Sequence, residues 1–149
     1  MPPLSATMSK NPDLEIYICG ACRPKNADAD SPLRPGRDLA ADLAEKLENQ
    51  GLAQRFSLKM MQCMSVCSRP ATCAFISPGK FTFTIGDLDP KTAADDIITF
   101  AKFYAESPDG IPAWRDRPEQ IRKGTISRTP SFSATHQRIT DPKQDETAE

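Results

Sequence analysis

The chain reads as an α/β domain: one sheet under two helices in the order β-α-β-β-β-α, followed by an irregular C-terminal tail. Three observations carry that expectation. Short runs rich in β-branched and aromatic residues are interrupted by two longer segments of helical period. The first run, Leu14-Glu15-Ile16-Tyr17-Ile18-Cys19, is separated from the second by an amphipathic helix, which is the sequence form of a parallel βαβ unit. Beyond Pro108 all periodicity stops while prolines recur at 112, 118, 130 and 142.

Residues 1–13 hold three prolines and no period, and read as a flexible arm. Leu14 to Cys19 alternates apolar with polar or amphipathic side chains, as a strand does. Arg23 to Pro35 is polar, contains Pro24, Pro32 and Pro35, and reads as a long loop. From Arg37 to Gln50, Leu39, Leu43 and Leu47 recur at i+4 with Ala40 and Ala44 beside them, an apolar helix face that Gly51 ends. Ala53 to Met60 is the second strand, with Phe56, Leu58 and Met60 on one side. Thr72–Ser77 and Phe81–Ile85 flank Ser77-Pro78-Gly79-Lys80, a type II turn signature, and so form an antiparallel pair. Asp89-Pro90 supplies a capping carboxylate and then a proline at the first helical position. The helix it opens carries Ala94, Ile97, Ile98, Ala101 and Tyr104 on one face and ends near Ser107-Pro108. The domain thus spans 14–107. Residues 108–149 read as a Pro-rich polar tail, docked around Trp114 onto the domain or onto a partner and otherwise disordered.

At 149 residues, 38% apolar and mean hydropathy −0.50, the chain has material for one modest core. A net charge of −1 gives no electrostatic reason for nucleic-acid or membrane binding. The N-terminal residues lack the apolar run of a secretory signal, and no window is apolar enough to span a bilayer. A cytoplasmic location follows, and there five cysteines are better read as metal or redox groups than as disulfides.

Four of the five form two close pairs, Cys19-Gly20-Ala21-Cys22 and Cys63-Met64-Ser65-Val66-Cys67. Each pair follows one of the two parallel strands, so the loops that bear them leave the same sheet edge, where open α/β sheets build their sites. Four thiolates from Cys19, Cys22, Cys63 and Cys67 suit a [2Fe–2S] cluster. A four-thiolate zinc site has the same spacing. Thiol–disulfide exchange by Cys19 and Cys22 is the third reading, although Arg23-Pro24 and a polar loop stand where a redox motif of that kind starts a helix. One histidine in the chain excludes both a Rieske centre and a two-histidine zinc site. Met60, Met61, Met64 and Val66 are candidates to shield a centre from water, or plain core residues. Cys73, within the third strand beside Phe75, reads as a buried thiol. Arg69 reads as a turn residue or a charge beside the centre, and His136 as a solvated tail residue. The basic stretch Trp114 to Arg128 reads as a solvated linker or as a strip for a redox partner.

The order of elements and cysteine loops resembles the thioredoxin-like [2Fe–2S] ferredoxins, a fold also present in a small subunit of respiratory NADH dehydrogenases. More closely, the chain resembles a bacterial family of predicted metal-binding proteins. The residues that carry this are Ile18-Cys19-Gly20-Ala21-Cys22-Arg23, Pro35-Gly36, Cys63-x3-Cys67-Ser68-Arg69-Pro70, Pro78-Gly79-Lys80, Gly86-Asp87-Leu88-Asp89-Pro90, Ser107-Pro108-Asp109-Gly110 and Trp114-Arg115-x-Arg117-Pro118. The resemblance implies a thioredoxin-like fold and a metal-binding, ferredoxin-like role, and it brings Trp114 to Pro130 into the family unit. Two positions depart from the pattern. Ferredoxins of this fold space their first two ligands widely, whereas two residues separate Cys19 from Cys22. Ala71 stands where the closer family often has a cysteine, with Cys73 nearby, so the fourth ligand is Cys22 or Cys73. No catalytic histidine, phosphate-binding glycine loop or flanking acid pair is present, and the expectation is an electron carrier with a protein redox partner, not an enzyme.

Overall fold

The computed structural model describes residues 11–143, so residues 1–10 of the expected arm and 144–149 of the expected tail lie outside the described residues. The fold is α/β, with a mixed five-stranded sheet and three helices. Strands β1 (Leu14–Cys19), β2 (Phe56–Met61), β3 (Cys73–Ile76), β4 (Thr82–Ile85) and β5 (Thr125–Thr129) lie in the order β2-β1-β3-β4-β5. Helix α1 (Pro35–Asn49) links the parallel pair β1 and β2; α2 (Ala93–Glu106) follows β4, and a short α3 (Glu119–Gly124) precedes β5. Among the described residues, only β1 and β2 are parallel, and every other neighbouring pair is antiparallel.

The core forms where the two sequence periods meet. Ile16 and Ile18 of β1, Phe75 of β3 and Phe83 of β4 point to one face of the sheet, as period-2 patterning requires. Leu39, Leu43 and Leu47 of α1 and Ile97, Ile98, Phe100, Ala101 and Tyr104 of α2 cover that face. The Phe75 and Phe100 ring centroids are 4.7 Å apart, and Phe83 meets Phe100 edge-on at 5.2 Å. Gly51 ends α1 with φ +70°, which a side chain would resist. Lys80, in the turn before β4, donates to the carbonyls of Tyr104 and Ala105 at 3.0 and 2.9 Å. It thereby supplies the positive charge that the last turn of α2 lacks in its own sequence.

Three expectations need correction. The segment after Pro108 is not an irregular tail: Thr125–Thr129 pairs with β4, and Ile121 of α3 is fully buried in the core. The side chains of β5 are mostly exposed, so the strand is held by backbone pairing and shows no burial period to read. Gly124 stands at its start because a Cβ there would lie 2.2 Å from the Gly86 carbonyl oxygen. The second correction concerns α2. Asp89 does accept a backbone N–H, from Lys91 at 2.9 Å, but residues 90–92 form a turn and the helix begins at Ala93.

His136 is the third. It is not a solvated residue: its Nε2 lies 2.9 Å from Asp109 Oδ2, and its ring meets Phe81 edge-on at 5.0 Å. Burial works against the Asp109 carboxylate, but the His136 hydrogen bond and the Ile111 N–H outweigh it and hold its pKa below the ordinary value. A depressed carboxyl pKa stabilises the fold above the unfolded-state value and loses that contribution as pH falls through the folded one. The pair is partly exposed, so the effect is at most about 1 kcal/mol. Melting temperature measured against pH should therefore fall below about pH 3.9, and Asp109→Asn should flatten that limb while leaving the neutral-pH side nearly level. An unchanged acid limb in the variant would remove this assignment.

Among the described residues, no helix is long and apolar enough to cross a membrane.

Candidate metal centre

The parallel register of β1 and β2 places Cys19 opposite Met61, so the two cysteine loops start side by side. Gly20 N–H extends the ladder to the Met61 carbonyl at 2.9 Å. Helix α1 presses its N-terminus onto this point. A Cβ on Gly36 would lie 1.8 Å from the Cys19 carbonyl oxygen, so only glycine permits the approach, and Arg37 Nε then donates to the Gly20 carbonyl at 3.0 Å. No helix starts at the first pair; the chain runs from Cys22 into a turn closed by Ala27 N–H to the Pro24 carbonyl at 3.1 Å. The second loop bends through Ser65, at φ +62°, into a turn from Val66 to Arg69 that carries Cys67. Arg69 ties the turn down through Asp87, Nε to Oδ2 at 2.7 Å, while Thr72 Oγ1 donates to the Arg69 carbonyl at 2.9 Å. That ion pair makes Arg69 a structural anchor of the loop.

Cys19 and Cys22 are buried, their sulfurs 3.4 Å apart. Burial opposes a Cys19 thiolate, but the N–H groups of Ala21 and Met64, the Cys22 thiol and the Cys22 N–H aim at its sulfur and hold its pKa below the ordinary thiol value. Met64 belongs to the other cysteine loop, so the Cys19 sulfur is stabilised from both. Cys22 is pushed up to about 12, first by burial, then by Cys19 and by Cys67, which is close enough to act on it. Its sulfur also lies 4.0 Å from the Val66 carbonyl. Cys67 is exposed and shares with Cys22 a cleft of about 430 Å³ rimmed by the Arg23–Ala27 turn.

Three of the four sequence-predicted thiols are therefore neighbours, and Cys63 is exposed on the same loop as Cys67. Among the described residues, no three His, Cys, Asp or Glu side chains already stand at ligating distance of one point. The donor chemistry nonetheless fits a thiolate-held group: the donors are all sulfur, and main-chain N–H groups favour the charged form of one of them. Cys73 stands outside the set. It is fully buried among apolar residues, and burial alone raises its pKa, with no other thiol acting on it. The expected apolar shield is only half present, since Met64 and Val66 are half-buried whereas Met60 and Met61 are exposed. Trp114 does not dock into the core; the residue is 67% exposed, with the Arg122 guanidinium 4.4 Å from its ring centre. Sequence reasoning missed the Met64 N–H and the Gly36 contact. A glycine directly after a helix-opening proline was the one visible signal for the latter.

The fold matches that of a thioredoxin-like [2Fe–2S] ferredoxin from Aquifex aeolicus, at 17% identity and a TM-score of 0.52 over 82% of this chain and 97% of that one. A cysteine-to-serine variant of the Aquifex aeolicus ferredoxin matches at 17% identity and a TM-score of 0.51, covering 76% of this chain and 98% of that one. No curated protein matches the sequence. Residues 16–131 match a family model that takes in the cysteine loops, α3 and β5 together, and the chain accordingly belongs to the family described as protein of unknown function DUF1636.

Proposed function

We propose that the chain is a [2Fe–2S] ferredoxin-like electron carrier whose cofactor is held by Cys19, Cys22, Cys63 and Cys67. The observation that carries this reading is the convergence of the two loops, with Met64 N–H on the Cys19 sulfur and Cys67 acting on Cys22. The likeness to the Aquifex aeolicus ferredoxins supports it at the level of fold. When bound, such a cluster supplies one-electron exchange. The chain's own part is to present thiolates, to stabilise the Cys19 sulfur with main-chain N–H groups, and to give up the Cys22 proton on ligation. A protein redox partner would approach at the exposed Met60 and Met61, beside the cysteine loops. A reducing compartment such as the cytoplasm belongs to the reading, because free thiols persist there.

One observation favours a second reading, thiol–disulfide exchange: the short Cys19–Cys22 separation, with one thiol pKa lowered and the other raised. Against it, Cys19, the thiol with the lowered pKa, is 1% exposed, and an attacking sulfur needs access. Anaerobic purification and reconstitution with iron and sulfide, followed by visible absorption and assay of both elements, separates the readings. A visible chromophore with two irons and two sulfides per chain is expected. A colourless chain that takes up neither and reduces insulin disulfides would establish the second reading instead; tight zinc binding without a chromophore would point to a structural site.

A further inference from the structure

A cleft of about 650 Å³ lies between the segment Ile111–Arg117 and strand β5, at the opposite edge of the sheet from β2. Arg117, Arg128 and Arg138 line it, with Trp114, Thr125 and Ser127, and no lining residue is acidic. Its volume falls within the range of small-molecule sites. We propose that this cleft binds a multiply charged phosphate, gripped by the guanidinium groups of Arg117, Arg128 and Arg138 beside the Trp114 indole.

Charge accounting supports the assignment. Several cations elsewhere are paired: Arg55 with Asp13, Arg69 with Asp87, Lys59 with Glu15 and Lys123 with Glu119. Among the described residues, none of Arg117, Arg122, Arg128 and Arg138 pairs with a carboxylate. Arg117 is half-buried and held in place: its Nε donates to the Pro112 carbonyl at 3.0 Å, and its guanidinium sits 5.5 Å from the Phe83 ring centre. Burial, then the charges of Arg128, Arg138 and Arg122, push its pKa down, so the arginines repel one another across the cleft. Arg117 is anchored and cannot swing away from the other two, and an oxyanion among them would relieve the repulsion. Guanidinium forks match phosphate oxygens two at a time.

Trp114 makes the test direct, because it is the chain's single tryptophan. Titration of the full chain with pyrophosphate, followed by tryptophan emission and calorimetry, should show saturable one-to-one binding and a rise in melting temperature. R128E and R138E should each weaken it at least about tenfold, the scale of one charge-assisted contact. K102E, an equal charge change on the exposed side of α2, should not. Both arginines are exposed, and unaltered melting of the ligand-free variants checks that the fold survives. ADP binding about tenfold tighter than pyrophosphate would add base stacking on the indole, and equal binding would leave the phosphate site as proposed. No saturable response, an equal loss in K102E, or citrate binding as well as pyrophosphate would overturn it. Because the cleft is separated from β1 by β3 and β4, these outcomes are independent of whether the cysteines hold a cluster.

Discussion

Gly36→Ala is expected to be the most damaging single-methyl change in the chain. The added Cβ would stand 1.8 Å from the Cys19 carbonyl oxygen and 2.9 Å from the Cys19 carbonyl carbon, both main-chain atoms that cannot rotate aside. In a helix interior, alanine for glycine stabilises by up to about 1 kcal/mol. Here the clash dominates, because relief requires moving α1 off the sheet or Cys19 off its strand. Forced overpacking costs about 1–3 kcal/mol and more when backbone must shift. The expectation is a loss of about 3 kcal/mol, read as a melting temperature lower by roughly 10 °C for a chain of this length. Arg37 rides on the same turn and holds the Gly20 carbonyl, so the first cysteine loop should loosen and reconstituted iron should fall with it. A variant that melts like the parent and loads iron normally would show that the helix does not position the site.

The cysteine series has the second large effect. Cys19→Ser, Cys22→Ser, Cys63→Ser and Cys67→Ser should each reduce reconstituted iron and sulfide to below about a tenth of the parent, since even outer-shell changes cost 10–100-fold. Cys73→Ala should keep the colour. That thiol sits in the apolar core between Ile18 and Ile85 in the sheet, and its loss should read as a modest stability cost of about 1 kcal/mol. Cys63 is the informative member, because it alone of the four is exposed with no thiol shown to act on it. If Cys63→Ser retains full colour while Cys73→Ala bleaches the protein, the ligand set is wrong and the fourth donor comes from the core.

Amino-acid order by itself determined the helix and strand periods, the parallel pairing of β1 with β2, and hence the meeting of the two cysteine loops. Those features are local or follow from a single chirality rule, so they are visible in one strand or helix at a time. Burial of Cys73 was legible for the same reason, as an inward position on a strand. Only the tertiary structure decided the rest. β5 is an edge strand with exposed side chains, so nothing in its own composition distinguishes it from a loop; the β4 backbone beside it does. The N–H of Met64 reaching the Cys19 sulfur, the contact that demands Gly36, and the gathering of Arg117, Arg128 and Arg138 all join residues distant in sequence. Such contacts have no period, and they exist only once the sheet has brought their segments together.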